Sequence, residues 1–217
     1  MLPFSLEQFV GVFAAYNQAV WPAQILAYVL GAIVVVAVLR PGPASNRIVS
    51  GVLGLMWLWT GMLYHGLFFS QINGVAFVFA GLFAVQGVAL IYAGVIRNDL
   101  RFGVRAGPSA VLGVALILYA ALLYPLIGLA VGSSWSAMPM FGVTPCPVTI
   151  FTFGLFLLTT KRMSYWLLAI PFIWSLIGGS AAILLNVPQD WLLLVSGLIA
   201  VPIIVLRDRG SRLVDAH

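Results

Sequence analysis

Few residues in this chain could do chemistry, and most of those that could fall near one end of its apolar runs. The single cysteine, Cys146, follows Thr144-Pro145. That order predicts a helix with Thr144 as N-cap and Pro145 at the first helical position. Cys146 then lies in the first turn, where the helix dipole favours a thiolate, and an outward-accessible, reactive thiol is expected. His65, Met138 and Met140 fall at a similar depth, and with Cys146 they could hold a soft ion such as Cu(I). No tight ligand spacing supports that, so no metal is expected. The plain alternatives are a small apolar cysteine, two methionines dipping into the interface and a histidine bonded to a neighbouring helix.

The outer mouth also gathers amides. Asn17, Trp21, Gln24, His65, Asn73 and Cys146 form its candidate set, with Gln18 and Gln71 beside them. The amides could line a vestibule or cap helix ends, and both readings stand. Trp21, Tyr16 and Trp135 fit an aromatic belt at the membrane surface. Near mid-membrane the polar groups are sparse. Trp57, Thr60, Gln86, Trp174 and Ser175 are the candidate substrate-binding residues, with Thr152, Ser196, Trp59 and Tyr119 at similar depth. Gln86 is the most informative. Its amide carries two donors and an acceptor, and facing lipid with them is costly. It therefore meets either a neutral ligand or another helix as interhelical glue.

Positioning these residues is the task of an integral membrane bundle. Of 217 residues, 63% are apolar and 7% charged, against about 25% charged in a soluble domain. Such a chain could not clothe its surface in water, and lipid is the simple solvent. Apolar runs at 20–39, 48–69, 74–96, 108–131, 141–160, 164–185 and 189–206 predict an all-α bundle of seven transmembrane helices in a single domain, 1–217. The last is the shortest. The first residues lack a basic stretch and a cleavage site, so a helix is expected there instead of a signal peptide. Ser5 and Gln8 fit a capping box, Phe4 and Phe9 a hydrophobic staple, and residues 6–17 a short interfacial helix.

Charge supports the count. Threading seven helices places Arg40, Arg47, Arg97, Arg101, Arg105, Lys161, Arg162, Arg207, Arg209 and Arg212 on one side. The opposite loops carry only Glu7 and Asp190. The positive-inside rule then sets the N-terminus out and the C-terminus in. The +5 formal charge is explained by topology, and no nucleic-acid partner is expected. A lone cysteine allows no intramolecular disulfide.

No Asp, Glu, Lys or Arg is expected deep within a span. That argues against ion-coupled pumps and proton relays, which keep an intramembrane carboxylate. No lysine is placed for a retinal Schiff base, and only His65 could serve a buried haem. No acid–base pair is visible, so an enzyme is not expected, nor is any cofactor.

A weak repeat runs through the chain. Trp21-Pro22 and Cys146-Pro147 open the first and fifth runs. Trp57-x-x-x-Gly61 and Trp174-x-x-x-Gly178 recur in the second and sixth. Units 20–96 and 141–206 around a linker helix 108–131 would be a parallel repeat, and that plan resembles the three-plus-one-plus-three architecture of SWEET transporters. A second resemblance rests on longer stretches. Pro3-Phe4-Ser5-Leu6-Glu7-Gln8-Phe9, Tyr16-Asn17-Gln18-Ala19-Val20-Trp21-Pro22-Ala23-Gln24, Thr144-Pro145-Cys146-Pro147-Val148-Thr149-Ile150-Phe151-Thr152-Phe153-Gly154 and Ile177-Gly178-Gly179-Ser180-Ala181-Ala182 resemble an uncharacterised family of small bacterial multi-span membrane proteins. That likeness implies a multi-pass protein of the bacterial cytoplasmic membrane, and it brings no function with it.

The expected function is an uncoupled transporter or binding protein for a small neutral or weakly polar solute, with the lipid bilayer as its other partner. The alternatives are a non-transporting sensor or partner subunit, and a soft-metal or thiol site at the outer mouth. Nothing in the sequence sets an oligomeric state.

Overall fold

The computed structural model describes residues 3–214, with side chains to Arg209. Its first helix, α1 (Leu6–Ala19), starts as the sequence dictates. Ser5 Oγ accepts from Gln8 N at 3.2 Å, Gln8 Oε1 accepts from Ser5 N at 2.8 Å, and the Phe4 and Phe9 rings stack at 5.8 Å. Pro22 then interrupts the helix, because it lacks an N–H and restricts Trp21. The chain turns by 84° into α2 (Ala23–Leu39).

Five further helices are long and apolar enough to cross a bilayer: α3 (Ser45–Gln71), α4 (Ala76–Ile96), α5 (Pro108–Ala130), α7 (Trp166–Leu184) and the stretch Pro188–Arg209, which includes most of α8 (Trp191–Val214). The bent pair of α1 and α2 raises the count to six. The expected fifth span differs most. Helix α6 (Pro145–Leu157) has 13 residues, a rise of about 20 Å, well short of the hydrocarbon thickness. It is also interior: every residue from Met138 to Thr159 is buried. Helices α3, α5, α7 and α8 pack around it.

A buried non-helical chain is tolerated only where its backbone polar groups are satisfied. The approach to α6 meets that condition. Tyr16 Oη donates to Val143 O at 2.6 Å, and Asn17 Nδ2 donates to Met138 O at 2.8 Å and Ser136 O at 3.1 Å. Thr144 stands at the N-cap, but its hydroxyl donates back to Met140 O at 2.7 Å. Helix α1 is therefore pinned across the segment that feeds α6.

Glycine sets the closest crossings. A Cβ on Gly54 would lie 2.9 Å from Gly87 O, and one on Gly87 2.7 Å from Gly54 O. Gly113 and Gly154 form the same reciprocal contact between α5 and α6, at 2.8 and 2.9 Å. Such pairs let backbones approach where lipid provides no hydrophobic drive for helix association.

Hydrogen bonds gather the basic segments at one end. Gly103 N donates to Leu158 O, Thr160 N to Arg101 O, and Phe102 N to Asn46 Oδ1. Arg207 reaches Leu157 O at 3.0 Å and Thr159 Oγ1 at 2.7 Å, and Asp208 accepts from Met163 N. Arg212 lies among residues whose side chains are outside this description.

Candidate functional site

At the end opposite the arginines lies a groove of about 230 Å³. Phe9 and Phe13 of α1, Tyr64 and Phe69 of α3, Phe79 of α4 and Trp174 of α7 supply its aromatic walls. Gly178, Ala181 and Ala182 keep the α7 side low. The small-residue stretch thus serves two faces. Gly179 packs on the α8 backbone, where an added Cβ would lie 2.8 Å from Leu194 N. Gly178 opens toward the groove, with Trp174 lying over it at 3.0 Å from such a Cβ.

Cys146 and Asp190 line this groove. Asp190, expected in a loop opposite the basic residues, lies in the turn just before α8 and is 1% exposed. Tyr124 of α5 donates its phenol to Asp190 Oδ1, and Cys146 lines the groove with the same carboxyl group. That donor offsets part of the desolvation of a buried carboxyl group. Trp174 Nε1 is buried and has no hydrogen-bond partner among the described residues. Cys146 itself is buried, at 7% exposure.

The mid-membrane candidates are arranged differently. Trp57 Nε1 donates to Thr152 Oγ1 at 2.9 Å, and Thr152 Oγ1 donates to Val148 O at 2.7 Å. Thr60 bonds Met56 O and Ser175 bonds Phe172 O, each within its own helix. Gln86 Nε2 donates to Leu167 O at 3.0 Å. Leu167 lies four residues before Pro171, which has no N–H to bond that carbonyl. Tyr28 does the same for α5: its hydroxyl donates at 3.0 Å to Ala121 O, four residues before Pro125. Neighbouring side chains thus satisfy carbonyls that prolines leave free. None of Trp57, Thr60, Gln86 and Ser175 lines any of the five main clefts among the described residues, whereas Trp174 lines the groove.

The outer-mouth candidates divide. Asn17, Trp21 and Gln24 line a wider cleft of about 710 Å³ with Gln18, Trp135 and Met140. Gln24 Nε2 donates to Asn17 O at 2.9 Å. Asn73 accepts from Val75 N at 3.1 Å, at the start of α4, and also borders the groove. His65 is fully buried among rings, with Phe83 at 4.7 Å and Trp174 at 4.9 Å, and neither imidazole nitrogen has a hydrogen-bond partner. Met138 packs at Gly128 and shares a buried apolar cluster with Met140. Among the described residues no three His, Cys, Asp or Glu side chains converge.

Sequence reading passed over Asp190 and Tyr124 as a pair. One signal was available. The connection between the last two helices, 185–190, is too short to carry Asp190 far from the helix ends. The partner lies 66 residues away, and no local pattern names it.

No curated protein and no solved structure matches the chain. Residues 6–215 match the model of a family of unknown function. The match spans every helix described above, and the protein therefore belongs to that family, DUF6064.

Proposed function

We propose that this protein crosses the bacterial cytoplasmic membrane seven times, N-terminus outside, and binds a small, largely apolar solute in the groove beside Trp174. The observation that carries the reading is the groove itself: aromatic and small residues surround about 230 Å³, with Cys146 and Asp190 as its polar points. A concave, apolar site with a few convergent polar groups is the usual form of a small-molecule site. On this reading the Cys146–Asp190–Tyr124 cluster orients a ligand and catalyses nothing. The internally bonded mid-membrane cluster favours a binding protein or partner subunit over a carrier with a central path.

Phenethyl alcohol is a suitable neutral probe. Added to the purified protein, it is expected to raise the thermal midpoint and to slow alkylation of Cys146. Ala181→Phe, which fills the groove, is expected to remove both effects. Protection that survives Ala181→Phe would place the solute elsewhere. Liposome flux of the same alcohol, no faster with protein than without, would agree with binding without transport. The orientation is tested in a Cys146→Ser background by Asn98→Cys, which is expected to resist an impermeant thiol reagent in intact cells.

A further inference from the structure

We propose that the groove's natural ligand is a cation, an amphiphilic ammonium whose charge meets Asp190 beneath the aromatic walls. The inference rests on the groove reading above and names its ligand class.

Three observations lead to it. The first is an imbalance of charge. Among the described residues the ion pairs are Arg97–Asp99 and Arg207–Asp208, both at the basic end. Asp190 is buried, and among the described residues it makes no ion pair with lysine or arginine. Tyr124 gives it one donor, while an ionised carboxylate can accept about four. A buried charge is ordinarily paired, and among the described residues no ion pair is made to Asp190.

The second is the composition of the walls. Phe9, Phe13, Tyr64, Phe69, Phe79 and Trp174 border the same space as the carboxylate. Aromatic faces carry negative quadrupoles and attract ammonium groups, most strongly when both are desolvated. One carboxylate among several rings is the chemistry that selects an ammonium over a neutral or anionic analogue of equal size.

The third is the shape of the α7 side. Gly178, Ala181 and Ala182 leave a low, greasy floor next to Asp190, suited to an aryl or alkyl group attached to the cation. A competing account exists in the fold. Asp190 directly precedes α8 (Trp191–Val214), and the positive end of that helix dipole stabilises a carboxylate without any ligand. Under that account charge on the ligand would not matter.

Calorimetry in maltoside micelles separates the two. Three probes share one aryl group: phenethyltrimethylammonium, phenethyl alcohol and 3-phenylpropanoate. The ammonium is expected to bind about tenfold tighter than the alcohol or more, and the carboxylate weakest. Asp190→Asn is expected to bring the ammonium down to the level of the alcohol while leaving the alcohol unchanged. Should that variant fail to fold, Tyr124→Phe serves instead: it removes a competing donor but keeps the carboxylate, so the ammonium preference should persist or grow. Equal binding of ammonium and alcohol by the wild type overturns the charge assignment and leaves the groove standing. Binding of none of the three overturns the groove itself, and this inference with it.

Discussion

The mid-membrane cluster and the groove bury similar groups to different effect. Around Gln86 the donors find internal acceptors: Gln86 Nε2 bonds Leu167 O and the Trp57 indole bonds Thr152, while Gln86 Oε1 is buried with no partner among the described residues and no cleft beside it. Around Asp190, a donor from Tyr124 meets a carboxyl group that opens on a cavity. The first arrangement repairs a defect in the bundle, the carbonyl freed by Pro171. The second leaves unused acceptor capacity beside space. In a membrane protein a buried polar side chain is therefore not evidence of a ligand until its partners have been counted. Gln86 and Asp190 are buried alike, and they differ in whether a cavity lies beside them.

The comparison can be broken most sharply at the groove. Ala181→Phe is expected to abolish phenethyl alcohol binding by calorimetry while leaving the thermal midpoint near that of the wild type. A large fall in midpoint with binding retained would reverse the roles of the two regions.

Gln86→Leu is the mirror test. It should cost about 1–2 kcal/mol of stability, because it strands a buried carbonyl, and alcohol affinity should not change. A double-mutant cycle sharpens it. Pro171→Ala restores an N–H that can bond Leu167 O, so Gln86→Leu should cost markedly less in that background. An undiminished cost would remove the proline from the explanation.

Trp57→Phe should cost about 1 kcal/mol through the lost bond to Thr152, again without effect on binding. Smallest is the effect expected at Cys146. Cys146→Ser keeps a small side chain of similar shape in the groove lining, and ammonium affinity should shift less than about threefold. A loss as large as that of Asp190→Asn would make the thiol a principal contact.

Several local features were legible before any coordinates. Ser5 and Gln8 name a capping box within four residues, Thr144-Pro145 marks a helix start, and Gln86 had to find a partner inside the protein. These follow from short-range rules that the chain carries wherever it goes. The fate of the fifth apolar run was not legible. The stretch 141–160 has the composition of a lipid-facing span, yet α6 is a short interior helix. Hydropathy measures transfer out of water, and it is the same whether lipid or protein receives the side chain. The cap at Thr144 was placed correctly, yet its hydroxyl turned to Met140 O, since the buried extended segment before it needed a donor.

By itself the sequence determined that this chain is helical, that several of its helices are long and apolar enough to cross a bilayer and where its basic residues fall along it. Composition and period carry those conclusions, because they depend on each residue's own chemistry and on spacing within one turn or one span. Only the tertiary structure decided which polar groups are spent on the bundle and which face open space. Tyr124 reaches Asp190 across 66 residues and Gln86 reaches Leu167 across 81. Such partnerships depend on which helices pack together, and that is settled by close contacts such as Gly54 on Gly87 and Gly113 on Gly154, between positions that no local rule connects.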